Sequence, residues 1–219
     1  HLGSAIIDDG DIVTVDMDTA INGLLVNPTG TLDLSSQNLD IRENLAINGG
    51  LHSSTGSITF NGAVNSTIDL GGQVLTFNDL IMDVGSGQTL TANNGSLEFD
   101  GTFFPTSGDL ADGSANFIIN STSATETGEV GPIGTNANIL EPSFTIRRFA
   151  PSGVAENREI SSPLNGMTVT ELDDDFEISG TGMPDGCSYE GDGSCYATLK
   201  YFDSPSTSYV YLHNVSHVM

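Results

Sequence analysis

The stretch Leu51–Val64, LHSSTGSITFNGAV, returns 39 residues later as Leu90–Phe103, LTANNGSLEFDGTF, with Leu, Gly, Ser, Phe and Gly in matching places. Two further pairs surround it. LDLSSQNLDI from Leu32 lies on IDLGGQVLTF from Ile68 at an offset of 36, and INGLLVNPTGTLDL from Ile21 lies on INGGLHSSTGSITF from Ile47 at an offset of 26. The unit drifts in length but keeps one grammar. A short alternating strand such as Ser57-Ile58-Thr59-Phe60 or Ser96-Leu97-Glu98-Phe99 is followed by Asn-Gly or Asp-Gly. Alternation sends one side chain inward and the next to solvent, and the Gly is expected to supply the positive φ of a tight corner.

One rung of strand and corner cannot bury its own apolar face, so repeats of this size imply stacked rungs that share a continuous core. Asn-Gly corners also build hairpins, which keeps an up-and-down barrel or a sandwich as the rival. Inward Leu, Ile and Phe recurring at matched offsets favour the stack, because a meander needs no long-range similarity. The sequence therefore predicts an all-β protein: a β-solenoid over residues 1–140, followed by a small β-sandwich-like domain over 141–219.

The bulk composition fits that assignment. Polarity is carried by Ser, Thr, Asn and 26 Gly, with charged residues at only 16%; this disfavours helices and favours turns and strands. Five Lys and Arg stand against 29 Asp and Glu, a formal net charge of −24. The basic surface that nucleic acid or anionic lipid requires is missing, so neither is expected as a partner. No run of about 18 apolar residues is present to insert into a membrane. Converging carboxylates recruit divalent cations, which makes calcium the one candidate cofactor.

The texture changes near Glu141. All five Tyr follow Ser188, four of the five basic residues follow Glu141, and the repeat is lost. Strands are expected at 144–149, 157–161, 167–172, 197–202 and 208–213. The chain stops at Met219 just after an apolar, aromatic strand, the pattern of a piece of a longer protein. Cys187 and Cys195 flank the acidic loop SYEGDGS, and a short disulfide-closed loop is the natural reading in an oxidising compartment. Two thiol metal ligands would need further Cys or His close by.

Side chains that carry chemistry are sparse. A polysaccharide lyase leans on Arg or Lys, and the repeat region holds Arg42 alone. A glycosidase needs two carboxylates converging on one sugar. In DIVTVDMD, Asp16 and Asp18 instead alternate with apolar residues, as solvated strand positions do. None of His1, His52, His213 and His217 sits beside a Gly-x-Ser-x-Gly turn, and His213 and His217, four apart on a strand, lie about 13 Å distant, too far for one ion. The calcium candidates are Asp8, Asp9 and Asp11 and the run Asp173, Asp174 and Asp175; neither has EF-hand spacing, and exposed acidic loops are the plainer reading. Trp is absent, so Tyr201, Tyr209 and Tyr211 are the aromatic contact surface on offer to a glycan or a protein, with core packing as the alternative.

The passage FTIRRFAPSGVAENREISSPLNG, residues 144–166, resembles a junction in large secreted surface proteins of the Bacteroidetes, in which a Gly/Asn/Thr-rich β-repeat region gives way to an Arg-bearing strand and a Ser-Ser-Pro step. The resemblance implies export by the type IX route and an extracellular or cell-surface location. Such proteins typically end in a sorting domain, and none is visible here. Residues and resemblance together lead to a structural or adhesive protein rather than an enzyme: a stalk, adhesin or fibre subunit whose partner is itself or a surface glycan or protein. A carbohydrate-binding module of a secreted enzyme is the second reading, and a polysaccharide-degrading β-helix enzyme the third.

Overall fold

A computed structural model describes residues 2–123, 127–140, 144–147, 200–203 and 208–211, the last two segments by their backbone. It contains strands and turns and, among the described residues, no helix. The first compact unit runs from His1 to Val154. Its opening rungs are β1 (Ala5–Ile7), β2 (Ile12–Thr14) and β3 (Thr19–Ile21), then β4 (Leu24–Val26), β5 (Thr31–Asp33) and β6 (Asn38–Ile41), then β7 (Leu45–Ile47), β8 (Gly50–His52) and β9 (Ser57–Phe60). Longer strands follow: β10 (Ser66–Phe77), β11 (Asp79–Asp83), β12 (Thr89–Phe99), β13 (Thr102–Asp112) and β14 (Ala115–Ile119). The unit closes with β15 (Glu129–Val130), β16 (Asn136–Ile139) and β17 (Phe144–Ile146).

Every ladder in this unit is parallel, and each strand pairs with the strand one turn of the coil away. On the first side β1, β4 and β7 stack, followed by the start of β10 and of β12 (Ala5↔Leu24↔Leu45↔Ile68↔Ala92). The second side stacks β2, β5 and β8, then the end of β10, the end of β12, β14 and β17 (Leu75↔Leu97↔Phe117↔Phe144). The third side stacks β3, β6, β9, β11, the start of β13 and β15 (Leu39↔Ile58↔Leu80↔Phe103↔Val130). This unit is a β-solenoid, as the repeat predicts, and it has three sides.

The repeat itself has a different meaning from the one its offsets suggest. Leu32 belongs to the second side and Ile68 to the first, so that pair compares sides rather than rungs: from β5 the chain passes β6, β7, β8 and β9 before β10 begins. Leu51 and Leu90 are likewise on different sides, as are Ile21 and Ile47. What recurs in sequence is one strand with its corner, used on all three sides.

The conformation of the corners supports this equivalence. Ser35 and Ser54, after second-side strands, and Gly71 and Asn94, after first-side strands, all adopt left-handed backbone (φ 53, 42, 59 and 57). Gly71 and Gly72 bend β10 round its corner without ending the strand. The Gly of Asn61-Gly62 and Asp100-Gly101 serves another purpose than the expected positive φ, which neither adopts. A Cβ there would strike the carbonyl oxygen of Arg42 or of Asn78 on the rung below. Glycine is required because two backbones approach more closely than a side chain allows.

Inward positions form one continuous core. It is aliphatic through the early rungs, with Leu24, Val26, Leu39, Ile41, Leu45 and Ile47 buried, and becomes aromatic later. Phe99 lies 6.4 Å from Phe77, 5.5 Å from Phe103 and 6.4 Å from Phe117 between ring centroids, and Phe117 lies 5.4 Å from Phe144. Phe144–Ile146, read from composition as the first strand of a second domain, is part of this core: Phe117↔Phe144 and Ile119↔Ile146 are in register. The change of texture near Glu141 precedes the end of the stacking, because Phe at an inward position packs as Leu does.

The second compact unit spans Ala155–Met219. Its described part is the antiparallel pair β18 (Lys200–Asp203) and β19 (Ser208–Tyr211), in register as Lys200↔Tyr211 and Phe202↔Tyr209. The remainder of the expected sandwich-like domain, with Cys187, Cys195, Asp173, Asp174 and Asp175, lies outside the described residues.

Candidate functional site

Polar side chains are tied from rung to rung, and one arrangement recurs, although Thr102 Oγ1 donating to Glu129 and the Asn94 N–H donating to Ser114 Oγ run the other way. A carboxylate on the lower rung accepts a hydrogen bond from an amide or backbone N–H on the rung above. Asn27 Nδ2 donates to Asp8 Oδ1 (3.1 Å), the Thr29 N–H to Asp9 Oδ1 (3.2 Å) and the Asn38 N–H to Asp18 Oδ1 (2.9 Å). Higher up, Asn61 Nδ2 donates to Asp40 Oδ2 (2.9 Å), Asn94 Nδ2 to Asp69 Oδ1 (3.1 Å) and the Thr102 N–H to Asp79 Oδ1 (2.7 Å). Asn120 Nδ2 donates to Asp100 Oδ1 (2.9 Å) and Asn138 Nδ2 to Asp109 Oδ1 (2.7 Å). Strands in such a ladder are about 4.8 Å apart, and two stacked carboxylates would repel at that distance. Pairing Asp with Asn lets an acidic chain stack.

The expected calcium ligands fall into this scheme. Asp8, Asp9 and Asp11 share one turn, in which the Asp11 N–H donates to the Asp8 carbonyl (3.1 Å). Two of the three carboxylates accept from the next rung, and no group of three or more His, Cys, Asp or Glu converges among the described residues. For the tyrosines, backbone register sets Tyr201 opposite Val210 and Phe202 opposite Tyr209. Positions 209 and 211 thus share a face with 200 and 202, and position 201 falls on the other.

Three features escape the sequence reading. The first is a strap on the second side. Arg147, just after β17, reaches back to Glu98 Oε1 at 2.7 Å, although the two residues are 49 positions apart. Between them in the column Glu98↔Ile118↔Thr145 sits Ile118, which faces outward yet is only 7% exposed. The arginine stem crosses a rung whose outward residue is apolar.

The second feature is a seam. The strands β2, β5 and β8 form a three-stranded sheet of their own, whereas β10 pairs upward with β12, so the second-side ladder is interrupted between β8 and β10. Ser53 bridges the interruption: its Oγ donates to the Thr76 carbonyl (3.1 Å) and accepts from the Asn78 N–H (3.0 Å). A groove of about 340 Å³ opens there, lined by Leu51, Ser53, Ser54, Thr76, Asn78 and Asp100. Its shape follows from the corners, since the turn at 53–56 projects while β10 passes to β11 through Asn78 alone.

The third feature is apolar exposure on the first and last described rungs, beside that of Val64 and Val74 on the flank of the stack. Ile12 is 72% exposed and Met17 65%, with Ile6 and Val13 also exposed on the first rung; Val130, Ile133 and Leu140 are exposed on the last. Val13 pairs inward with Leu32 and is covered on one side only. Hydropathy alternation could have marked Ile12 and Met17, but not which rung is terminal.

No family model, no curated protein and no solved structure matches this chain.

Proposed function

We propose that the chain is a non-catalytic structural or adhesive protein of the cell surface, extended by its solenoid and associating end to end with further copies. The observation that carries the proposal is the pairing of apolar ends with corners whose polar groups are satisfied within the stack. Among the described residues the rung β1–β2–β3 is hydrogen-bonded on one side, and a further parallel rung would meet N–H and C=O groups in register on its other edge, with Val13 placed to continue the core.

A surface location is supported by the resemblance of residues 144–166 to secreted Bacteroidetes proteins and by the acidic, Gly- and Thr-rich composition. Negative-stain electron microscopy across a concentration series tests the assembly. Filaments one solenoid wide, lengthening with concentration, are expected; monodisperse single particles at every concentration count against the proposal.

A further inference from the structure

We propose that the seam between β8 and β10 binds one pyranose residue of a neutral glycan. The inference rests on the adhesive half of the function proposed above and names its partner chemistry. Four observations converge on it. The ladder of the second side is interrupted only at this level among its described strands, where Ser53 rather than a backbone ladder links the two edges. A groove occupies the interruption, and its volume of about 340 Å³ lies in the size range of small-molecule sites.

The lining is also suited to a sugar. Ser54, Thr76, Asn78 and Asp100 line the space and bring hydroxyl, amide and carboxylate groups to its border, and Leu51 adds an apolar contact. Vicinal sugar hydroxyls both donate and accept, and a ring's C–H face packs against an aliphatic side chain as it does against an aromatic one. Finally, the polar groups are held before any ligand arrives. Asp100 is fixed by Asn120, and Ser53 ties Thr76 to Asn78 through two hydrogen bonds, which lowers the ordering cost of binding.

The carboxylate sets specificity. A uronic acid would bring its charge towards Asp100 in a chain of net charge −24, and is therefore disfavoured.

The test is an NMR titration of the isotopically labelled full chain with the methyl glycosides of glucose, galactose, mannose and N-acetylglucosamine, and with the methyl glycoside of galacturonic acid, its carboxylate free. At least one neutral glycoside should give saturable shifts at the amides of residues 51–54, 76–78 and 100–101, with galacturonate roughly tenfold weaker. Thr76→Val and Ser54→Gly each remove one hydroxyl and should weaken binding about two- to tenfold. Glycine accepts the left-handed backbone of Ser54, so the fold is kept in that variant. Absence of saturable shifts for all the sugars, shifts confined to other residues, or unchanged affinity in both variants overturns the site. None of these outcomes affects the filament measurement, so the site and the assembly fail separately.

Discussion

Asp79 shows what an acidic residue does in this stack. Its Oδ1 accepts the Thr102 N–H of the next rung at 2.7 Å, in a part-buried setting. Asp79→Ala leaves that donor without its partner, and chemical denaturation should show a loss of about 1–3 kcal/mol. Asp79→Asn keeps an acceptor oxygen and should cost less. A complementary substitution puts charge where the stack has an amide. Asn94→Asp sets a second carboxylate against Asp69, which now accepts from Asn94 Nδ2. The variant should melt lower than the parent at low salt and recover most of the difference near 1 M salt, where the screening length falls to about 3 Å.

This role was hidden in the sequence. Strand alternation marks a residue as outward, and Asp16 and Asp18 were read as solvated positions on that basis. Yet Asp18 accepts from Asn38 on the rung above, and alternation carries no information about which residue lies above. That partner depends on the length of the coil. The hydrogen bonds between rungs span from 19 residues at Asp8 and Asn27 to 29 at Asp109 and Asn138.

At the level of strands and corners, the sequence was legible in kind and not in count. Alternation and Asx-Gly corners led to a solenoid, because stacking like residues is the economical way to bury short strands. The offsets of 36, 39 and 26 concealed the rung, since three near-equivalent sides let the best match fall between sides. The glycines after Phe60 and Phe99 were assigned to positive φ, whereas Gly62 and Gly101 permit a close approach of backbones that only the stacked structure reveals. Gly62→Ala must therefore push the Arg42 rung away, and should destabilise by about 1–3 kcal/mol. The same substitution at Gly3, where a Cβ meets nothing, should be tolerated.

The strap belongs to this scale too. Arg147→Ala removes the ion pair with Glu98. Exposed pairs contribute little, so a loss of about 1 kcal/mol or less is expected. Hydrogen exchange offers a sharper readout: the Arg147 N–H, which donates to the Ile119 carbonyl at 2.8 Å, should exchange faster in the variant. Unchanged protection there would show that Phe144 alone seats the last strand.

As a whole, the first unit is built like a column. Apart from the Arg147–Glu98 strap, the hydrogen bonds join neighbouring rungs, so stability rises with the number of rungs and the terminal rungs are the least protected. That arrangement explains why the seam between β8 and β10 is tolerated in the middle, where rungs above and below hold the two sheets together. Composition foresaw a scaffold short of basic and imidazole groups. It did not foresee where contact would be made, because the groove is assembled from residues on three successive rungs.

The central claim, that the apolar ends of the column join copies of the chain, is tested most directly by sedimentation velocity on the parent and on the double variant Ile12→Lys, Met17→Lys. Both residues are exposed on the first rung, so the substitutions leave the core intact. The account predicts a parent whose sedimentation coefficient rises with concentration and a variant that stays monomeric with an unchanged far-ultraviolet spectrum. A parent that sediments as a monomer throughout, or a variant that associates as the parent does, contradicts it.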